Sequence, residues 1–264
     1  MREWSEGDVE SAGITLHYYR TGGAHLPKMV LVHGFTDNGL CWSRFTGAFE
    51  SRFDVVMVDA RNHGKSGLGR GDLDLLAADL AAIILALDLA PAVIVGHSVG
   101  ASVAAATAAS YPQLVSRLIL EDPPWTATTK PNTASASRRE AFRTWVTSMM
   151  SMSEAQIAEQ GRAMHPTWHD EELAPWAVSK RQVSPDAMEQ LNLGDWTPAV
   201  SQLQCSTLLV YTDGSRDGLV SDATATRVAG LNPNISLARI ESAGHNLRRE
   251  QFAAYVAAVE QFLL

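Results

Sequence analysis

An apolar run that ends in a Gly-x-Ser-x-Gly turn constrains this chain more than any other feature. The run covers residues 93–95, the turn is Gly96-His97-Ser98-Val99-Gly100, and an alanine-rich segment follows it. The same five residues also fit an ordinary glycine-rich loop, but a strand before them and a helix after them favour a nucleophile elbow. In such an elbow the glycines leave room for a tight turn, and the Ser98 hydroxyl is exposed at a helix N-terminus.

Strand and helix patterns alternate along most of the chain, which predicts an α/β fold with a doubly wound, mostly parallel sheet. At 264 residues and 46% hydrophobic content, the chain is long enough for one large core. The predicted strands cover residues 14–19, 29–32, 54–59, 93–95, 118–122, 207–211 and 235–240, and the predicted helices around them cover 42–53, 76–87, 102–110, 222–231 and 252–262.

The alternation stops between residues 124 and 201. Phe142, Trp145 and Met149 follow a helical spacing, and Ser153 with Gln156 forms a capping-box pattern at the start of another helix. We therefore predict one domain built from residues 1–123 and 202–264, with a helical insertion at 124–201.

A serine that attacks a carbonyl needs a histidine base, a carboxylate that orients the base, and backbone donors for the oxyanion. His245 is the candidate base, because it lies in the loop after the last predicted strand. We expect His33, His63 and His97 to be structural. His165 and His169 lie near acidic residues, where a metal site is an alternative, but a solvated helix start explains them better.

The carboxylate is the open member of this set. Asp217 is favoured because it lies in the loop after the strand that ends at Tyr211, from which it can approach His245. Asp213 in the same loop is an alternative, although it also fits an Asx turn before Gly214. Asp122 and Glu121, at the end of the preceding strand, are the remaining alternatives.

The backbone amides of Phe35 and Val99 are the candidate oxyanion donors. The elbow itself sets the amide of Val99, and Phe35 follows Gly34 in a loop that is expected to pack beside the elbow.

Composition excludes several classes of partner. The net charge of −8 disfavours nucleic acid and anionic membranes. Cys41 and Cys205 follow no CxxC spacing, so neither a disulfide framework nor a zinc site is expected. The first residues lack the apolar core of a signal peptide, and no run reaches the ~20 apolar residues of a membrane span. We therefore expect a cytoplasmic protein.

Four motifs occur in a characteristic order, and together they resemble the α/β-hydrolase superfamily, in particular its capped bacterial esterase, lactonase and C–C hydrolase branch. They are His33-Gly34-Phe35, Asp59 with Asn62-His63-Gly64-Lys65-Ser66, the elbow at Ser98, and Ala243-Gly244-His245. The resemblance implies an eight-stranded, mostly parallel sheet, a helical lid after the sixth strand, and no cofactor. The family usually takes its acid from a Gly-x-x-Asp loop. The loop at 213–220 is longer and holds two aspartates, so the acid stays open.

The insertion holds five of the seven tryptophans, and core packing explains most of them. Trp125, Trp145, Met149 and Trp176 are nevertheless candidate substrate contacts, since large apolar side chains over a catalytic serine favour a hydrophobic substrate. We therefore expect a hydrolase that acts on a hydrophobic small-molecule ester or lactone. C–C bond hydrolysis and cofactor-free perhydrolysis are alternatives with the same residues, and a non-catalytic ligand receptor is a further one. The sequence does not determine the oligomeric state.

Overall fold

A computed structural model of the protein describes residues 4–125, 135–214 and 216–264. Residues 126–134, which belong to the predicted insertion, and residues 1–3, which belong to the segment searched for a signal peptide, lie outside this described part.

Eight strands form one sheet, as the resemblance implied. Their spatial order is β1-β2-β4-β3-β5-β6-β7-β8; β1 and β2 pair antiparallel, β2 pairs antiparallel with β4, and the other pairs are parallel. The strands are β1 (Ser5–Ser11), β2 (Ile14–Arg20), β3 (Lys28–Val32), β4 (Asp54–Val58), β5 (Ala92–His97), β6 (Val115–Glu121), β7 (Ser206–Thr212) and β8 (Ile235–Ile240).

The central strands are apolar without alternation because both faces of the sheet are covered. Val30 and Val32 of β3 pack into one core cluster, whereas Met29 and Leu31 pack into the cluster on the opposite face. Successive side chains of a strand point to opposite faces, so one short apolar run supplies both cores.

Helices cover both faces of this sheet. The face that contains Val30 is covered by α2 (Leu73–Ala86), α3 (Val99–Ser110), α8 (Thr197–Gln202) and α9 (Asp222–Leu231). The other face is covered by α1 (Ser43–Phe49), α10 (Leu247–Glu250) and α11 (Phe252–Leu263). None of the helices in the described part of the chain has the length and apolar character that crossing a membrane requires.

Within the described residues between β6 and α8 there are four helices. They are α4 (Ala136–Met150), α5 (Glu154–Met164), α6 (Asp170–Gln182) and α7 (Ala187–Gln190). Helix α5 begins with the predicted capping box, in which the Ser153 and Gln156 side chains each bind the other residue's backbone. Helix α6 packs on α1 and on the 3₁₀ turn Gly39–Trp42 that precedes it.

Two short features differ from the sequence prediction. Strand β1 was not predicted, because its residues are mostly polar and exposed, and Val9 and Ser11 alone are buried. A two-residue strand, Leu191–Asn192, pairs in parallel with Gly71–Asp72, although no strand was expected between 124 and 201. This pairing ties the segment after α7 to the start of α2.

Candidate active site

Ser98 lies at the sharp turn between the last residue of β5 and the first residue of α3, with a left-handed backbone at φ 55°. The flanking glycines are required by close packing. A Cβ at Gly96 would lie 2.4 Å from the carbonyl oxygen of Gly100, and a Cβ at Gly100 would lie 2.4 Å from the carbonyl oxygen of His33. Both distances are far below contact, so α3 can begin this close to β5 and β3 only with glycine at both positions.

The side chain of His245 reaches Ser98 from the loop between β8 and α10. Its Nε2 lies 3.0 Å from the Ser98 Oγ. The sequence therefore predicted correctly that these two residues come together, although 147 positions separate them.

The other ring nitrogen of His245 contacts Asp122, the residue that follows β6. Nδ1 lies 2.7 Å from Oδ2 of Asp122, whose side chain is fully buried. The backbone amides of Leu219 and Val220 donate to the same carboxylate, each at 2.9 Å. Because an ionised carboxylate can only accept hydrogen bonds, we place the ring proton of His245 on Nδ1. Nε2 is then free to accept a hydrogen bond from the Ser98 hydroxyl.

The expectation that Asp217 orients the ring of His245 is therefore wrong. Oδ1 of Asp217 accepts instead from the backbone amide of His245, at 3.2 Å. The reason is the strand register: His97 and Glu121 pair across β5 and β6, so Ser98 and Asp122 leave the sheet side by side. The loop after β7 supplies two amides to Asp122 and reaches only the main chain of His245.

Neither of the other two acidic candidates contacts the ring of His245. Oδ2 of Asp213 accepts from the Ser242 amide at 3.1 Å. Glu121 is fully buried and accepts from the amide of Arg248 at 3.0 Å and from its Nη1 at 3.1 Å. Burial raises the pKa of Glu121, and the charge of Arg248 opposes that rise. Glu121 therefore anchors α10.

The two candidate oxyanion amides lie beside Ser98. Val99 is the first residue of α3, so its N–H has no acceptor within the helix. Phe35 belongs to a turn in which the Asp37 amide donates to the Gly34 carbonyl at 3.1 Å. This turn packs directly on the elbow, since a Cβ at Gly34 would lie 3.3 Å from the Cβ of Ser98.

Three buried histidines near the site bind backbone groups, in agreement with the structural role expected from sequence. His97 contacts the carbonyl oxygen of His245 through Nε2 at 3.0 Å, and burial lowers the pKa of His97 well below its usual value. His33 pairs with the Gly34 carbonyl and the Ala60 amide. His63 accepts from the Thr36 amide, and burial lowers the pKa of His63 to about 3. Burial also lowers the pKa of His33.

A cleft that is partly open to solvent extends from Phe35 and Val99 toward α2. Val99 and Gly100, which follow Ser98 in the chain, line this cleft, whereas Ser98 and His245 themselves do not. Most of the wall is apolar and includes Leu16, Val32, Val58, Leu76, Leu80, Ile83, Val103, Ala187 and Leu191.

The structure places none of the four predicted substrate contacts against this cleft. Trp125 is buried in the core, where it donates to Ser102 at 3.0 Å. Met149 and Trp176 are buried in a small core formed by the helices between β6 and α8, and Trp145 is 36% exposed on α4. Trp125, Met149 and Trp176 thus pack inside core clusters, and none of the four side chains lines this cleft.

The histidines of the insertion have other partners than a metal. His165 stacks on Trp168 with ring centroids 4.0 Å apart. Nδ1 of His169 accepts from the Glu171 amide at the start of α6. Among the described residues, no three His, Cys, Asp or Glu side chains are grouped as a metal site.

A buried ionic network beside the site was missed by the sequence analysis. Asp37 lies 2.8 Å from Lys180 of α6 and 2.8 Å from Arg249 of α10, and Arg249 also reaches Glu172 at 3.4 Å. Neighbouring cations hold the pKa of Asp37 well below its usual value, against the effect of burial. Charged residues are rarely this buried unless they are paired. The residues that pair here lie far apart in the sequence, so no local pattern could have indicated the network.

Comparison with known proteins agrees with this fold. A family model described as the alpha/beta hydrolase family matches residues 29–259. The N-formylmaleamate deformylase of Pseudomonas putida is 29% identical over 273 residues, covering 97% of this chain and 96% of that protein. The fold matches E-2-(acetamidomethylene)succinate hydrolase with a TM-score of 0.83 at 23% identity over 99% of both chains. It matches an esterase from Thermogutta terrifontis with a TM-score of 0.74 at 24% identity over 98% of both chains. Since the family model spans most of its length, this chain belongs to the α/β-hydrolase family.

Proposed function

We propose that the protein is a serine hydrolase that cleaves a carboxylic ester or lactone of a hydrophobic small molecule through an acyl-enzyme on Ser98. The observation that carries this function is the continuous set of contacts from Ser98 through His245 to the buried carboxylate of Asp122. A serine, a histidine and a carboxylate in this order supply a nucleophile, a base and a group that orients the base.

In this mechanism the Ser98 hydroxyl donates its proton to Nε2 of His245 while Oγ attacks the substrate carbonyl carbon. The positive charge that forms on the ring is stabilised by Asp122. His245 then returns the proton to the alcohol oxygen as the C–O bond breaks, which leaves an acyl group on Ser98. A water molecule, deprotonated by the same Nε2, attacks the acyl-enzyme. His245 then returns that proton to the Ser98 Oγ as its bond to the acyl carbon breaks, and a carboxylic acid is released.

In this proposal the backbone amides of Phe35 and Val99 donate hydrogen bonds to the carbonyl oxygen and stabilise the negative charge that develops on it. Both lie beside Ser98, and both belong to backbone whose direction is set by the fold. Loss of one such donor costs about 10²- to 10³-fold in turnover in enzymes of this kind.

The charge of the cleft supports a neutral, apolar acyl group. Among the described residues of its wall, Arg61 is the one permanent cation, and Asp79 pairs with it at 2.6 Å. Asp59 adds a negative charge, with both oxygens bound to backbone amides. Lowered pKa values keep His33 and His63 neutral near pH 7. An anionic acyl chain would therefore enter this wall without an unpaired cation to receive it.

Helices α4 to α7 serve in this proposal as a lid over the cleft. Phe142 of α4 stacks on Phe35 with ring centroids 5.0 Å apart, and Ala187 and Leu191 form part of the wall. The lid thus meets the substrate through small and medium apolar side chains on and after α7.

Cleavage of an N-acyl bond is a second candidate, and the full-length similarity to N-formylmaleamate deformylase favours it. With His245 and Asp122 in the same roles, Ser98 would attack the carbonyl carbon of an amide, such as an N-formyl group. The ester stands first in this proposal because Arg61, the one permanent cation among the described wall residues, is paired with Asp79, which supports a substrate without a carboxylate.

The test is turnover of p-nitrophenyl esters from acetate to decanoate, beside N-formyl amides with and without a carboxylate. We expect the highest kcat/KM for a medium-chain or aryl ester. Ser98→Ala should abolish turnover and labelling by a fluorophosphonate probe, whereas Ser102→Ala, a serine on the next turn of α3, should keep both. A folded Ser98→Ala variant that retains turnover contradicts the mechanism. Wild-type protein that neither reacts with the probe nor turns over any substrate supports the ligand-receptor alternative instead.

A further inference from the structure

Lys180, on α6, is buried against the turn that carries the Phe35 amide. Its Nζ donates to the carbonyl oxygen of Thr36 at 2.8 Å, to the Thr36 Oγ1 at 3.1 Å and to Oδ1 of Asp37 at 2.8 Å. The side chain is 3% exposed. A helix between β6 and β7 therefore supplies a cation to the backbone beside the catalytic serine.

This turn has a backbone geometry that its sequence does not favour. Thr36 has φ 71°, a left-handed conformation that is uncommon and strained for a β-branched residue. Its amide donates to His63 at 3.3 Å, while Lys180 binds its carbonyl and hydroxyl groups. Contacts from outside the turn thus hold Thr36 in this conformation.

The direction of the Phe35 amide follows from the same turn. The peptide between Gly34 and Phe35 is planar and trans, so its N–H points away from the Gly34 carbonyl. That carbonyl accepts from the Asp37 amide at 3.1 Å and from Nδ1 of His33 at 2.8 Å. A shift of Asp37 would therefore rotate the peptide that carries the candidate oxyanion donor.

Asp37 is held from two sides. Lys180 binds one carboxylate oxygen, and Nη2 of Arg249 binds the other at 2.8 Å. Arg249 follows His245 by only four residues. The carboxylate thus joins α6, the turn at 34–37 and the segment after the catalytic histidine into one buried unit.

We propose that Lys180 is a positioning residue for the reaction at Ser98, which holds Thr36 and Asp37 so that the Phe35 amide points at the developing oxyanion. The inference rests on the proposed function, since the oxyanion exists only if Ser98 attacks a carbonyl. It gives the helical segment a role in the chemical step in addition to covering the cleft.

The first measurement compares Lys180→Met with wild type on the best ester found above. We expect kcat to fall about 10- to 100-fold, because a misdirected donor loses part of what a deleted donor loses. KM should change less than about twofold, because the oxyanion forms only in the transition state. A trifluoromethyl ketone inhibitor, which forms an oxyanion on Ser98, should lose affinity by the same factor as kcat. Arg181→Met, the exposed neighbour on α6, is the matched control and should leave kcat and inhibitor affinity unchanged.

A second comparison separates positioning from charge balance, because Lys180→Met also leaves Asp37 with one cation fewer. Asp37→Asn and Lys180→Met/Asp37→Asn both carry a neutral residue at position 37 and differ only in Lys180. If Lys180 acts through Thr36, kcat in the double variant is about tenfold or more below Asp37→Asn. Equal kcat values in these two variants overturn the inference, even if Lys180→Met alone fails to fold. If the inference fails in this way but the wild-type protein turns over the ester and its Ser98 is labelled by the fluorophosphonate probe, the proposed function still holds. If the wild-type protein shows neither turnover nor labelling, the proposed function itself is contradicted.

Discussion

The carboxylate of Asp122 lies 2.7 Å from Nδ1 of His245, although 123 positions of sequence separate the two residues. The contact exists because Asp122 follows β6 directly beside the elbow that follows β5, while His245 descends from the loop after β8. Two amides of the loop after β7 complete the binding of the carboxylate. The segment after β6, the loop after β7 and the loop after β8 therefore meet at one buried charge.

Replacement of Asp122 is expected to have a much larger effect than replacement of Asp217. In Asp122→Asn, an amide NH₂ must face either the Val220 N–H or the groups that donate to Oδ2, and the tautomer of His245 is no longer enforced. We expect kcat to fall about 10³- to 10⁴-fold. Asp217→Asn should lower kcat by less than about tenfold, since that carboxylate binds only a backbone amide of His245. Steady-state kinetics on one ester checks both, and a larger loss at Asp217 would restore it as the acid.

Acid should destabilise the fold through its buried neutral histidines. The unfolded chain binds a proton at His63 as the pH falls below about 6.5, whereas the folded protein does so only near pH 3, where its pKa lies. Stability is therefore lost between these two values and is unaffected by His63 above them. From pH 7 to pH 5 this histidine accounts for about 2 kcal/mol of the loss.

Urea unfolding of wild type and His63→Gln at pH 7 and pH 5 measures how much of the pH-dependent loss of stability is due to His63. The glutamine oxygen can replace Nε2 as acceptor for the Thr36 amide, so the variant should fold and lose less stability between the two pH values. The exposed His25 is the control, and His25→Gln should follow wild type. A variant at position 63 that keeps the full wild-type pH dependence would contradict the assignment.

The cleft wall at Ala187 should select acyl chains by length. Ala187 is buried and lines the cleft from α7, so Ala187→Leu places three more carbon atoms at the wall. We expect kcat/KM for octanoyl and longer esters to fall about tenfold or more, with acetyl esters changed less than about threefold. Ala155→Leu, on the exposed side of α5, is the matched control. Equal losses on short and long esters would show that the substrate does not occupy this cleft.

Trp125 should contribute to stability and leave substrate affinity unchanged. Trp125→Phe removes the bond from Nε1 to Ser102 and leaves that hydroxyl buried without its donor, which costs about 1–3 kcal/mol in the free energy of unfolding. KM should change less than about twofold. Trp145→Phe, at a half-exposed ring, provides the comparison and should change neither quantity. A large rise in KM with unchanged stability would return Trp125 to the substrate site.

Much of the fold followed from local patterns. The bounds of α9 and β8 agree with the predicted segments, and the capping box of α5 occurs where Ser153 and Gln156 predicted it. These features depend on periodicity and on backbone groups within a few residues, which a sequence displays directly. Strand β1 escaped prediction because an exposed edge strand needs few apolar residues, and its partner β2 supplies the hydrogen bonds.

By itself, the sequence determined the α/β architecture, the elbow at Ser98 and the approach of His245, because each depends on a local motif and on its order along the chain. Only the tertiary structure decided which carboxylate binds His245, because Asp122, Asp213 and Asp217 all lie near that histidine and the strand register selects Asp122. It also decided that Trp125 and Trp176 are core residues and that Lys180 reaches Thr36. Such contacts join residues far apart in sequence, so they depend on how the sheet and the inserted helices pack.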